Sequence, residues 1–195
     1  MIALARYEPK VRLTKSAAFM AAQVGVMRRV SNRCKGLAGR YGADESISWN
    51  EDCEAGGGEK AVASYFGLYH DGSLGNFKAA DVGELQVRTR LKDWYDLIVH
   101  PEDKEEDIFI LVTGLLPNYV LRGWLYGYEA RQEEYWDDPA GGRPAFFVPQ
   151  ADLRDIRSLE PIICRMFCAL SERRQEGWWE EEVEAEGEEL VVEVG

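Results

Sequence analysis

The strongest constraint on this chain is a change of period along its length. In 83–91, Glu84, Gln86, Arg88 and Arg90 alternate with Leu85, Val87, Thr89 and Leu91. A period of two sends the rows to opposite faces of a strand. YDLIVH (95–100), IFILVTG (108–114) and YVLRGWLYG (119–127) read as three further strands, and FFVP (146–149) as a brief one. Elsewhere the period is helical. In 14–36, Ala17, Met20, Ala21, Val24, Met27 and Val30 recur at three- and four-residue steps, with Thr14 or Ser16 available as a cap. Shorter helices are expected at about 58–67 and 127–136, and a helical stretch at 151–174 with a break near Pro161. Glycines at 36, 39, 42 and 56–58 mark 36–58 as loop, and 68–82 reads the same way. The pattern is that of an α+β fold. Short connections such as PEDKEED (101–107) suggest an antiparallel meander.

At 195 residues and 46% hydrophobic, the chain suits one domain with its own core. Trp94, Tyr95, Phe109, Tyr119, Trp124 and Tyr126 supply bulky candidates for that core. No run approaches the ~20 apolar residues of a membrane span. The N-terminus shows no apolar stretch followed by a small-residue cleavage site. The expectation is a soluble protein of the cytoplasm. Cys34, Cys53, Cys164 and Cys168 form no Cys-x-x-Cys pair, so a structural zinc site is not expected. Cys164 and Cys168, four residues apart, read as small buried apolar residues on one helix face.

Charge is distributed unevenly over a formal net of −12. Residues 176–195 hold nine Glu and no Lys or Arg, and read as a disordered acidic tail. Residues 1–44 carry nine Lys or Arg against Glu8 and Asp44. Within them Arg28, Arg29 and Arg33 crowd the end of the first helix. They can complement its dipole or bind phosphates.

Three elements could carry chemistry. Glu59 shares the inward face of its helix with Val62, Ala63 and Phe66, where a carboxylate is costly unless a cation or donor meets it. Asp81 stands at the entrance to strand 83–91, as a turn former or a ligand. Glu84, Gln86 and Arg88 project from one face of that strand, either as a solvated row or as oxygen donors beside a cation. Such a set suits a hard divalent cation.

The order of GGGEKAVASYFG, AADVGELQVRTR and YDLIVHPEDKEEDIFILVTG, followed by YVLRGWLYGYEAR and FFVPQADLR, resembles the PD-(D/E)XK nuclease superfamily, particularly its small virus-encoded or restriction-like members. The resemblance covers roughly 56–154 and, more loosely, the first helix. It implies a restriction-endonuclease-like core in a domain over 1–175: a central mixed sheet of about four to five strands flanked by helices. It also implies Mg²⁺, or Mn²⁺, held by Glu59, Asp81 and either Gln86 or Glu84, and hydrolysis of DNA. Gln86 stands where the superfamily has its second acid, and Arg88 where it has Lys. Gln86 still offers a carbonyl oxygen. Arg88 keeps the charge but does not deprotonate. A register with Glu84 as the acid and Gln86 in the Lys place restores the carboxylate and loses the cation, and both registers stay open. Arg90, Arg28, Arg29 and Arg33 would hold flanking phosphates.

The leading expectation is therefore a Mg²⁺-dependent nuclease acting on DNA. The alternative is a nuclease fold without activity that binds nucleic acid or protein. The acidic tail could contact a basic partner or the chain's own groove. No phosphate loop of the G-x-x-x-x-G-K-[ST] kind and no serine nucleophile elbow is present.

Overall fold

The computed structural model describes residues 6–36, 45–70, 72, 80–139 and 141–166. The acidic tail, Cys168 and most of the 68–82 loop lie outside these residues. The chain divides into two compact units, 1–157 and 158–195, each described by itself. In the second, residues 160–166 are helical, and Pro161 lies in the first turn, where its missing N–H costs nothing, instead of breaking a longer helix. Cys164 is exposed there, not buried as its spacing suggested.

The first unit is α+β. A four-stranded mixed sheet runs in the order β1 (Lys10–Arg12), β5 (Asn118–Tyr126), β4 (Ile108–Leu115), β2 (Leu85–Arg90). β1–β5 and β4–β5 are antiparallel, whereas β2 runs parallel to β4 with Gln86 opposite Phe109 and Arg88 opposite Leu111. A continuous meander is thus not formed. β3 (Leu97–Val99) leaves for a second sheet with β7 (Ala145–Val148) and β6 (Trp136–Asp137). The reason lies in β4. Its residues 108–113 are all buried, so both faces of the strand must be covered. Leu97, Val99 and Val148 pack with Phe109, Leu111, Leu125 and Leu153 over one face. Helix α2 (Glu45–Phe66) packs on the sheet, against β2 and β4 among others, and α1 (Lys15–Cys34) packs along α2. β5 leads into a single helical turn, α3 (Gly127–Ala130), and a 3-10 turn at Glu133–Tyr135, which replace the helix expected over 127–136. After β7, two more 3-10 turns (Gln150–Asp152 and Ile156–Leu159) occupy the start of the stretch expected to be helical.

The largest correction concerns 45–58, expected as loop but helical in α2. Its three glycines are not loop residues. A Cβ on Gly56 would stand 2.5 Å from the Ala21 carbonyl oxygen of α1. One on Gly57 would overlap the Tyr119 hydroxyl of β5, and one on Gly58 would overlap Thr89 of β2. The helix is bare where α1 and two strands press against it. Packing there outweighs the roughly 1 kcal/mol per residue by which glycine disfavours a helix.

Helix α1 is capped as expected, with Thr14 Oγ1 accepting from Ala17 N at 3.2 Å. Its buried residues are Ala21 and Gly25, while Phe19, Met20, Met27 and Val30 are exposed. The stripe inferred from spacing is rotated, because close contact with the glycine-bearing α2 selects the small residues of α1. Trp94 and Tyr95 are also exposed, not core, whereas Phe109, Tyr119 and Trp124 are buried. Among the described residues no helix is long and apolar enough to cross a membrane.

Candidate metal and phosphate site at the edge of the sheet

β2 is an edge strand, so backbone groups on its open side need partners from elsewhere. Asp81 and Val82 supply them. The chain turns tightly at Gly83 (φ 60°), so that Val82 bridges to Leu85 and Asp81 N donates to the Leu85 carbonyl at 3.0 Å. The Asp81 carboxylate then accepts the Val87 N–H at 2.8 Å. The acid expected at the strand entrance is thereby locked beside the strand centre.

Glu59 reaches the same place from α2. It is 3% exposed, with Val62 and Ala63 fully buried on the same helix face. Arg28 of α1 donates to both of its oxygens, at 2.5 and 2.8 Å. His70 Nε2 lies 3.1 Å from Glu59 Oε2. Burial pushes the Glu59 carboxyl up, but the hydrogen bonds from His70 and Arg28 outweigh it and hold the group below its ordinary value. Asp81 is less well compensated. Burial first, and the Glu59 charge second, raise it to about 6; the Val87 N–H, Arg88 and Arg28 offset them in part.

Arg88 projects from the opposite face of β2 to Leu85 and Val87. Its guanidinium lies 4.9 Å from the centre of the Phe109 ring, 2.8 Å from Asp103 and 4.0 Å from Asp81. Gln86 donates from Nε2 to Asp107 at 3.2 Å. Glu84 is exposed in the turn. Arg90 stacks on Tyr95. Of the N-terminal arginines, Arg28 stands inside the site on Glu59, Arg29 pairs with Asp52 at 2.7 Å, and Arg33 lies over Trp49. Asp81 is the link, because it feels the charges of Glu59 and Arg28 and also lies 4.0 Å from Arg88. Gln86, Arg29 and Arg33 meet Asp107, Asp52 and Trp49 instead. Sequence reasoning missed His70, Asp103 and Asp107. No spacing signalled them, since two lie within the charged connection 101–107 and His70 follows the end of α2.

The Asp81 carboxyl, raised by its burial and by the Glu59 charge, is the less compensated of the two acids, since both Glu59 oxygens already meet Arg28 or His70. Among the described residues, no group of three or more His, Cys, Asp or Glu side chains forms a metal cage.

The segment after β7 is tied to the sheet next door. Trp124 and Arg154 exchange backbone hydrogen bonds of 3.2 and 2.9 Å. Gly123 is bare because a Cβ there would stand 2.6 Å from the Arg154 oxygen. No family model, no curated protein and no solved structure matches this chain.

Proposed function

We propose that this chain is a divalent-metal-dependent phosphodiesterase acting on DNA, of the PD-(D/E)XK kind. The observation that carries the reading is Asp81, a carboxyl raised to about 6, beside the buried Glu59 and within 4.0 Å of Arg88. Asp81 and Glu59 would hold Mg²⁺ or Mn²⁺, which supplies activation of water and neutralisation of charge on a phosphate. Arg88, held by Phe109 and Asp103, would bind the phosphate and stabilise charge developing on it. As an arginine it does not accept the proton of an attacking water. The Val87 N–H orients the Asp81 carboxylate from the strand itself.

A second reading is a nuclease fold that binds nucleic acid without cleaving it. It is favoured by Arg28 and His70, which already occupy the oxygens of Glu59. Calorimetry with Mg²⁺ or Mn²⁺ on the wild type and Asp81→Ala, with DNA cleavage assayed on the same samples, separates the two. Metal binding and cleavage that both vanish in Asp81→Ala support the phosphodiesterase. A wild type that binds no metal rejects it in favour of the binding module.

A further inference from the structure

We propose that the loop joining β2 to β3, residues 91–96, is a stacking platform for unpaired bases, so that the substrate is single-stranded nucleic acid or an unpaired end. The inference rests on the phosphodiesterase site above for the position of the reacting phosphate, but its binding test does not. Trp94 is 72% exposed and Tyr95 39%. Single exposed aromatics are common. Here two are adjacent, with ring centroids 6.1 Å apart, and each carries a cation: Arg90 at 4.6 Å from the Tyr95 ring and Lys92 at 5.9 Å from the Trp94 ring. Base–aromatic stacking next to basic side chains is how proteins hold single strands of any sequence.

The loop is also held in place. Gln150 Nε2 donates to the Asp93 and Tyr95 carbonyls at 2.6 and 2.9 Å, and Tyr95 N closes a turn onto Lys92 at 3.2 Å. A rigid aromatic surface loses less freedom on binding. Arg90 is two residues beyond Arg88 on the same strand face, about 7 Å along β2. That is on the scale of one nucleotide step. Arg90 Nε is buried with no hydrogen-bond partner. A strand whose phosphate reaches Arg88 would place its next bases toward Tyr95 and Trp94. Asp93 and Asp96 lie in the same loop and oppose phosphates, so stacking rather than charge dominates here.

The test is fluorescence anisotropy in EDTA. The probes are a labelled oligothymidylate of about 12 nucleotides and a blunt duplex of equal length. The proteins are the wild type, Trp94→Ala/Tyr95→Ala and Trp94→Phe. Preference for the single strand, a loss of about tenfold or more in the double variant, and near-wild-type binding by Trp94→Phe are expected. Thermal unfolding of the double variant at the wild-type temperature confirms that it folds. Equal binding by the double variant, or preference for the duplex, overturns the platform. If single-strand binding depends on the two rings while the wild type binds no metal, the platform stands and the phosphodiesterase falls. If metal-dependent cleavage persists and the double variant binds as the wild type does, the platform falls and the phosphodiesterase stands.

Discussion

Arg28 of α1 meets both carboxylate oxygens of Glu59, at 2.5 and 2.8 Å, across the interface between the two long helices. The contact joins the packing of the fold to the chemistry of its edge, since Glu59 also charges the surroundings of Asp81. Breaking a buried pair from one side leaves an uncompensated charge, which is more costly than the pair itself is favourable. Arg28→Ala is expected to lower stability by about 3 kcal/mol. In Arg28→Ala/Glu59→Gln, part of that loss returns. Urea denaturation of the single and double variants measures it, and strictly additive losses would disprove the coupling.

Asp81 makes stability depend on pH in an unusual direction. Its carboxyl titrates at about 6 when folded against an ordinary 3.8, so between those values the folded state holds the extra proton. Stability from this group is full at low pH and is lost as pH rises through about 6. Glu59 acts oppositely, being held low, and its contribution is lost as pH falls below its ordinary value of 4.5. Asp81→Asn, which keeps an oxygen for the Val87 N–H, is therefore expected to flatten the decline between pH 4 and 6. It should also raise stability at pH 7 by about 2 kcal/mol. Chemical denaturation at stepped pH reports this, and an unchanged slope would contradict it.

A cation at the same site must compete with that proton. Millimolar Mn²⁺ should raise the melting temperature at pH 7.5 and do so much less at pH 5, where Asp81 is protonated. In Asp81→Asn the shift should disappear at both. A shift that is independent of pH and of Asp81 would place the ion elsewhere.

The α2 glycines make a prediction about packing alone. Gly58→Ala gains helix propensity of about 1 kcal/mol but drives a methyl into Thr89 of β2, and the net expected loss is about 1–2 kcal/mol. Thr89 Oγ1 is buried with no hydrogen-bond partner. Adding Thr89→Ala removes both the overlap and that hydroxyl, so the double variant should recover most of the loss. A double variant no better than Gly58→Ala would show that the contact does not limit the helix.

Glu54 tests the same sheet-facing side of the helix, one turn earlier. Its buried carboxylate accepts from Tyr119 OH and Leu116 N, each at 2.8 Å. Burial and the bond to Glu54 raise the Tyr119 hydroxyl well above the ordinary tyrosine range. Glu54→Ala leaves two buried donors unmet and is expected to cost about 2–4 kcal/mol, read as a lower denaturant midpoint at unchanged m-value.

What the sequence by itself determined is local. The alternation of 83–91 placed β2 and assigned its two faces, and the long apolar runs placed β4 and β5, because side-chain period follows from backbone geometry. The helical phase of Glu59 correctly put it inward with Val62 and Ala63. Tertiary structure decided the rest. Gly56, Gly57 and Gly58 read as loop because nothing local reveals that α1, Tyr119 and Thr89 need the space a Cβ would fill. The parallel pairing of β2 with β4 depends on what covers the second face of β4, and β3 and β7 supply that from both sides in sequence. Arg28, His70 and Asp81 come together around Glu59 only when α1, α2 and the edge of β2 dock. A buried charge records no partner in its own sequence neighbourhood; the partner is chosen by packing.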